Sequence, residues 1–198
     1  ALLTSPVKMF TRAFDINAAA NVVLAQAFLP AMISNNHGHF MTVASSASYF
    51  SLPNLCAYSM SKTAALAFLE SLRAELRAVY KACRVRTSVV TPTKVRTVLA
   101  EGLNEGDDDF LMPVLEPIQV ARAMADTLNS GLSRNISLPL GSALLPYLRA
   151  LPEWYRGALR AMGNTDALVT PESISRGQQA LRGHQSNLDH MKKLGVHS

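Results

Sequence analysis

Three side chains whose chemistry depends on one another fall within the stretch Ser45 to Lys62, SSASYFSLPNLCAYSMSK. Tyr58 and Lys62 stand four apart, so a helix opening there places the phenol and the amine on one face, one turn apart. A free phenol has a pKa of about 10, too high for an efficient general base near neutrality, and a neighbouring ammonium favours the phenolate and lowers that value. Ser45 closes the largely apolar run GHFMTVAS, which reads as a buried strand followed by a loop. Open α/β sheets hold their ligands beyond the carboxyl ends of the strands, where the Ser45 hydroxyl could meet the phenol. The set suits proton transfer to or from a bound group.

The elements that must position these residues are legible from periodicity. Pro6 to Phe14 and Asn17 to Met32 carry helical spacing, with Phe10, Phe14, Val22, Ala25, Leu29 and Met32 as expected inward residues. After the turn Ser34-Asn35-Asn36-His37-Gly38, a strand near 39–45 is apolar on both faces beyond His39, as a central parallel strand should be. Ser61 to Tyr80 forms a long amphipathic helix, with Ala65, Leu69, Leu72 and Leu76 on the dry side and Glu70, Arg73, Glu75 and Arg77 on the wet side. Strands are expected near 85–91, rich in β-branched residues and ended by Pro92, and near 135–140, with a helix over 117–128 between them. Alternating strands and helices give a Rossmann-like α/β fold with a doubly wound parallel sheet.

The order Asn17 in FDINAAANVVLAQAFLPAM, Ser45 in GHFMTVASS, Tyr58 and Lys62 in YSMSK followed by TAALAFLESLRAEL, and then VRTSVVTPTKVRT resembles the short-chain dehydrogenase/reductase family. Tyr58 follows Ser45 by thirteen positions, as in the family signature, which selects Ser45 over Ser46 and Ser48. The run from FLPAM to ESLRAEL is most similar to the branch containing retinol dehydrogenases and 17β-hydroxysteroid dehydrogenases. The resemblance implies hydride transfer between NAD or NADP and an alcohol or carbonyl. Tyr58 would exchange the proton, Lys62 would lower its pKa and hold the nicotinamide ribose, and Ser45 would hydrogen-bond the reacting oxygen. Asn17 would complete a proton relay through its backbone carbonyl, although locally it also reads as an asparagine on a polar helix face. Pro92, Val95 and Thr97 would meet the nicotinamide carboxamide, as in the family's PGxxxT loop, with Thr93 where the family prefers glycine. Thr97 reads equally as a loop threonine capping the following turn.

The family's TGxxxGxG turn and its NNAG segment are not among these 198 residues, and neither is a GxGxxG. The resemblance therefore covers the second half of a family domain, with residues 1–162 as the C-terminal part of the Rossmann domain and 163–198 as a polar tail with a helix start at Thr170-Pro171-Glu172. NAD and NADP cannot be told apart without the first half. Two alternatives to a working enzyme follow: a non-catalytic remnant acting as a binding protein, or a fragment of an ordinary enzyme. Both leave the strand near 39–45 with an open edge.

The remaining features bound the partners. A net charge of +5 with dispersed Lys and Arg gives no nucleic-acid stripe. Leu99 to Pro117 would close over substrate in the family, and Phe110, Leu111 and Met112 suit a lid over a small lipophilic ligand such as a retinoid, steroid or long-chain alcohol. Asp107, Asp108 and Asp109 read as a solvated loop rather than a metal site, so no metal is expected. Cys56 and Cys83 form no metal or redox motif and fit a reducing compartment. Residues 144–162 place Leu144, Leu145, Leu148, Leu151, Trp154, Tyr155 and Leu159 among Arg149, Arg156 and Arg160. Such a segment either lies in a membrane interface or packs on the sheet as a terminal helix. The resemblance adds a homo-oligomer built on the helix after Tyr58 and the one before it. The expected location is the cytoplasm or the cytosolic face of the endoplasmic reticulum or a lipid droplet.

Overall fold

A computed structural model describes residues 2–100 and 113–162, with scattered positions between 169 and 186. Three parallel strands form one sheet: β1 (Gly38–Val43), β2 (Val85–Pro92) and β3 (Asn135–Leu138), in the order β1-β2-β3. β1 pairs with β2 from Gly38 opposite Val85 to Val43 opposite Val90. β2 pairs with β3 from Val89 opposite Asn135 to Pro92 opposite Leu138. Parallel pairing puts all three carboxyl ends on one side, and the crossovers supply the flanking helices. This is part of a Rossmann-like α/β fold.

The first helix is continuous but changes pitch. α1 (Val7–Phe14) passes through a π-helical turn at Asp15–Ala19 into α2 (Ala20–Ser34). Asn17 lies within that turn. The whole helix, Val7–Ser34, is long and apolar enough to cross a membrane by length and composition, with a mean hydropathy of 1.6 in its most apolar window and 17% of that window buried. Its contacts nevertheless belong to the sheet: Ala25 and Leu29 enter the core, and Thr42 in β1 donates to Asn21 Oδ1 at 3.4 Å. Phe14 and Val22, expected inward, are exposed. The reason is that the face buried by the sheet and its neighbouring helix follows Ala18, Ala25 and Leu29, with Met32 and Ile33 against the core, and Phe14 and Val22 lie off that face.

β1 begins where the chain must pass close to that helix. Gly38 has φ 151°, and a Cβ there would sit 2.5 Å from Met32 Cγ, so glycine is required by close approach. α3 (Cys56–Ala78) then packs beside α2 across the sheet. Leu69, Leu72 and Leu76 of its dry stripe join Phe40 of β1, Ala44 just beyond it, and Val85 and Val89 of β2 in one core, and Ala65 is buried as well, as periodicity predicted. Arg73, expected on the wet side, instead reaches Thr87 Oγ1 at 2.9 Å and Asn135 Oδ1 at 3.1 Å, tying α3 to β2 and β3. A long guanidinium stem can cross an apolar face while its head finds acceptors at the sheet.

α4 (Pro117–Ser130) opens with proline in the first turn and a capping box, Glu116 N donating to Gln119 Oε1 at 2.7 Å, and ends on Gly131 at φ 63°. Beyond β3 come α5 (Leu145–Leu148) and α6 (Glu153–Met162), separated at Pro152. The tail is anchored at its start: Val169 and Ser173 are buried, and Asn54 Nδ2 donates to the Val169 carbonyl at 2.7 Å. Thr170 and Ser173 exchange backbone-to-hydroxyl hydrogen bonds at 3.0 and 3.2 Å, the cap expected at Thr170.

Candidate active site

Ser45 leaves β1 in extended conformation and caps a short 3-10 turn, its hydroxyl accepting from Ala47 N at 3.2 Å. That bond fixes the side chain at the carboxyl end of the strand. Asn54, at φ 62°, then turns the chain so that α3 starts at Cys56 and brings Tyr58 back toward β1. Lys62, one turn further, donates to the Val43 carbonyl at 2.9 Å and stands 5.9 Å from the centre of the Tyr58 ring. Ser45, Tyr58 and Lys62 are thus brought together, as their spacing predicted.

Their electrostatics differ from the expectation. Burial pushes the Tyr58 phenol above its ordinary value, and a hydrogen bond from the Ser45 side chain works in the opposite direction. Burial also lowers the Lys62 amine. The Lys62 ammonium is aimed at the Val43 carbonyl, and low-dielectric surroundings favour the neutral form of both groups. Ser45 is the serine that acts on Tyr58. Ser48 Oγ is buried without a protein partner, and Ser46 supports the turn through its carbonyl.

Asn17 is held by a residue that pattern reading passed over. Its Nδ2 donates to Ser61 Oγ at 3.0 Å, and Ser61 Oγ donates to the Tyr58 carbonyl at 2.8 Å. Ser61 is fully buried and couples the π-helical turn to the first turn of α3. The Asn17 carbonyl accepts from Asn21 Nδ2 at 2.8 Å. Ser61 sits beside Lys62 in YSMSK, yet its partner is 44 residues away, so no local spacing marks it.

The second strand end carries the other expected contacts. Pro92 closes β2 opposite Leu138, and Thr93 N donates to the Leu138 carbonyl at 2.8 Å. Val95 forms a parallel bridge with Leu115, flanked by Leu115 N to the Lys94 carbonyl at 2.9 Å and Arg96 N to the Leu115 carbonyl at 2.8 Å. Thr97 is exposed and its hydroxyl reaches only the Val95 carbonyl, at 3.4 Å. The buried Thr93 hydroxyl has no protein partner. An unpartnered hydroxyl at a strand's carboxyl end fits a polar carboxamide. The expected lid residues Phe110, Leu111 and Met112, and the aspartates 107–109, lie outside the described residues.

A groove of about 580 Å³ lies elsewhere, between Phe14, Ser51, Leu52, Arg149 and the α3 stripe Cys56, Met60, Thr63 and Ala67. None of Ser45, Tyr58 and Lys62 lines it.

A family model described as short chain dehydrogenase matches residues 3–108. This chain belongs to the short-chain dehydrogenase family. The match contains Asn17, Ser45, Tyr58 and Lys62 as well as β1, α3 and β2. The chain is 38% identical over 151 residues to estradiol 17-beta-dehydrogenase 11 of Pongo abelii, covering 75% of this chain and 48% of that protein. It is 36% identical over 126 residues to epidermal retinol dehydrogenase 2 of Mus musculus, covering 64% and 40%. These relatives place it in the retinol and steroid dehydrogenase branch, and the chain spans about half their length. Among solved structures, acetoin dehydrogenase from Salmonella typhimurium superposes with TM-score 0.58 at 18% identity, covering 73% of this chain and 60% of that one. A 7α-hydroxysteroid dehydrogenase complexed with NADH and 7-oxo glycochenodeoxycholic acid superposes with TM-score 0.56 at 20% identity, covering 68% and 56%. Both share the short-chain dehydrogenase fold.

Proposed function

We propose that this chain carries the catalytic half of an NAD(P)-dependent oxidoreductase acting on a lipophilic alcohol or carbonyl, such as a retinoid, steroid or long-chain alcohol. The observation that carries the reading is the meeting of the Ser45 hydroxyl, the Tyr58 phenol and the Lys62 amine at the carboxyl end of β1. The nicotinamide cofactor, when bound, supplies or accepts the hydride. Tyr58 Oη exchanges the proton with the substrate oxygen, and Ser45 Oγ hydrogen-bonds that oxygen and steadies the phenolate. Lys62 turns from the Val43 carbonyl to the ribose hydroxyls, where its charge also favours the phenolate. Asn17, tied through Ser61 to the Tyr58 turn, keeps the relay beside Lys62. Pro92, Val95, Thr97 and the unpaired Thr93 hydroxyl hold the carboxamide.

Residues 1–162 form the C-terminal part of the cofactor-binding domain in this reading, and 163–198 extend it as a tail. The lipophilic substrate class rests on the named relatives and on the apolar segment 110–112. A second copy of the chain packs on α2 and α3, whose exposed Val22, Val23, Leu24 and Phe28 offer an apolar face. The site of action is the cytosol or the cytosolic face of a lipid-bounded compartment.

The test is fluorescence titration of the chain with NADH and NADPH, beside Tyr58→Phe and Lys62→Ala, followed by turnover of long-chain and small polar alcohols. Saturable binding that weakens in the lysine variant, with turnover favouring the lipophilic substrate, supports the reading. Turnover of small polar alcohols alone overturns the substrate class. The second reading is a binding remnant or a piece of a longer enzyme: among the described residues β1 pairs on one edge, with β2, and Val43 is 40% exposed. A folded chain that binds neither cofactor would leave that reading standing.

A further inference from the structure

The groove between α1 and α3 holds polar groups that the proposed reaction does not use. α1 packs against α3, and Phe14, expected in the core, lines the groove instead. Its volume of about 580 Å³ falls within the roughly 300–1,000 Å³ usual for small-molecule sites. Along α3 the lining changes character. Met60, Ala64 and Ala67 recur at intervals of four and three and form an apolar track, with Phe14 from α1 beside it.

Toward the start of α3 the lining becomes polar. Ser59 is 3% exposed, and its hydroxyl has no hydrogen-bond partner. A buried hydroxyl left unpaired carries a desolvation penalty, which an acceptor on a ligand would remove. No side chain caps the first turn of α3, so the positive end of the helix dipole lies at the same end of the groove. Arg149, at the end of α5, adds a cation to the lining. Arg156 and Arg160 turn inward and both pair with Glu153, whereas Arg149 has no ion pair among the described residues. Glu70 acts with Arg149 on the Tyr49 phenol, yet Glu70 does not line the groove.

We infer that this groove binds a single-chain lipid carboxylate, its head between Ser59 and Arg149 and its hydrocarbon chain along Met60, Ala64 and Ala67. One guanidinium and one hydroxyl match the two oxygens of a carboxylate, while a phosphate dianion would leave more acceptors unfilled. The α2 residues offered to a second copy, Val22, Val23, Leu24 and Phe28, do not line this groove. Met60 stands two residues from both Tyr58 and Lys62, on the far side of α3, so the occupant packs behind the turns that carry the proposed catalytic pair. The binding is measured without turnover and does not depend on the oxidoreductase reading.

Cys56 lines the groove, and Cys83 is the other cysteine of the sequence, exposed and away from it. In a Cys83→Ser chain, alkylation by iodoacetamide therefore reports on the groove alone. Decanoate, dodecanoate and tetradecanoate, kept below micelle formation, are titrated by calorimetry and by protection of Cys56. The expected result is saturable protection, with affinity rising about threefold per methylene. Dodecanol is expected to bind about tenfold more weakly than dodecanoate, a difference that Arg149→Gln removes and that salt reduces. Ser59→Ala should weaken dodecanoate several-fold and leave the urea midpoint unchanged or raised, because its hydroxyl has no bond to lose. A lowered midpoint would make Ser59 structural and overturn its part in the site. Ala67→Phe fills the track from an exposed helix position and should abolish protection with the circular dichroism spectrum unchanged. Dodecanoate binding that leaves Cys56 alkylation unaltered would place the ligand elsewhere, such as the apolar helix over 7–34, and overturn the proposal. Dodecanol as tight as dodecanoate, or dodecyl phosphate tighter, would overturn the carboxylate head. Protection that grows with protein concentration in the absence of lipid would assign the groove to a second copy, and absence of both heat and protection would sink the site altogether.

Discussion

The carboxyl ends of β1 and β2 lie side by side in one sheet, yet they hold their residues by different means. At β1 the side chains do the holding: Ser45 caps its own turn, Lys62 is pinned to the Val43 carbonyl, and Asn17 is clamped by Ser61. At β2 the backbone does it. Thr93, Lys94 and Arg96 are fixed by main-chain bonds to Leu138 and Leu115, and the Thr93 hydroxyl is left without a partner among the described residues. Under the proposed reading, proton-moving groups set in position before substrate arrives contrast with a cofactor loop that keeps a rigid frame and an unspent donor.

The comparison breaks if substitutions at the two ends have similar consequences. The largest effect is expected from Tyr58→Phe, which removes the proposed proton carrier and should lower kcat by about a thousandfold, measured with a long-chain alcohol at saturating cofactor. Ser45→Ala should lower kcat by about a hundredfold and also act on pH. The Ser45 hydrogen bond lowers a phenol that burial raises, so without it the Tyr58 pKa climbs further and the rising limb of kcat/KM for alcohol oxidation moves to more alkaline pH. An unmoved limb would separate Ser45 from Tyr58.

Smaller effects sharpen the contrast. Ser61→Ala leaves Asn17 Nδ2 and the Tyr58 carbonyl without their shared partner and should cost about 1–2 kcal/mol, read from the urea midpoint. Thr93→Val at the other end removes a buried hydroxyl that has no protein partner. It should leave the free chain unchanged or more stable by up to about 1 kcal/mol while weakening NADH or NADPH binding several-fold. A stability loss as large as that of Ser61→Ala would show that Thr93 is structural.

The alkaline limit of stability gives the smallest and most specific signal. The folded pKa of Tyr58 lies above its unfolded value of about 10. Below the unfolded value both states keep the proton and the stability contribution is intact. As pH rises from there through the folded pKa, the unfolded chain ionises first and stability falls. Tyr58→Phe should flatten that fall, checked by urea titrations across the alkaline range.

Much of this was legible along the chain because it is local or periodic. The α3 stripe of Ala65, Leu69, Leu72 and Leu76, the β-branched run of β2 and the four-residue step from Tyr58 to Lys62 are set by helix and strand geometry. Val22 is exposed against expectation because α2 is apolar nearly all round, so periodicity cannot say which face meets the sheet. Arg73 was misread as solvent-facing because its acceptors, Thr87 and Asn135, come from two strands that lie far along the chain.

Periodicity by itself determined the α/β fold, and the resemblance carried by the order and spacing of Asn17, Ser45, Tyr58 and Lys62 pointed to the family, because both rest on short-range geometry. Tertiary structure alone decided the Ser61 clamp, the inward turn of Arg156 and Arg160 and the direction in which the Tyr58 pKa moves. Those depend on partners distant in sequence and on burial, which sets the local dielectric and exists only once the chain has folded.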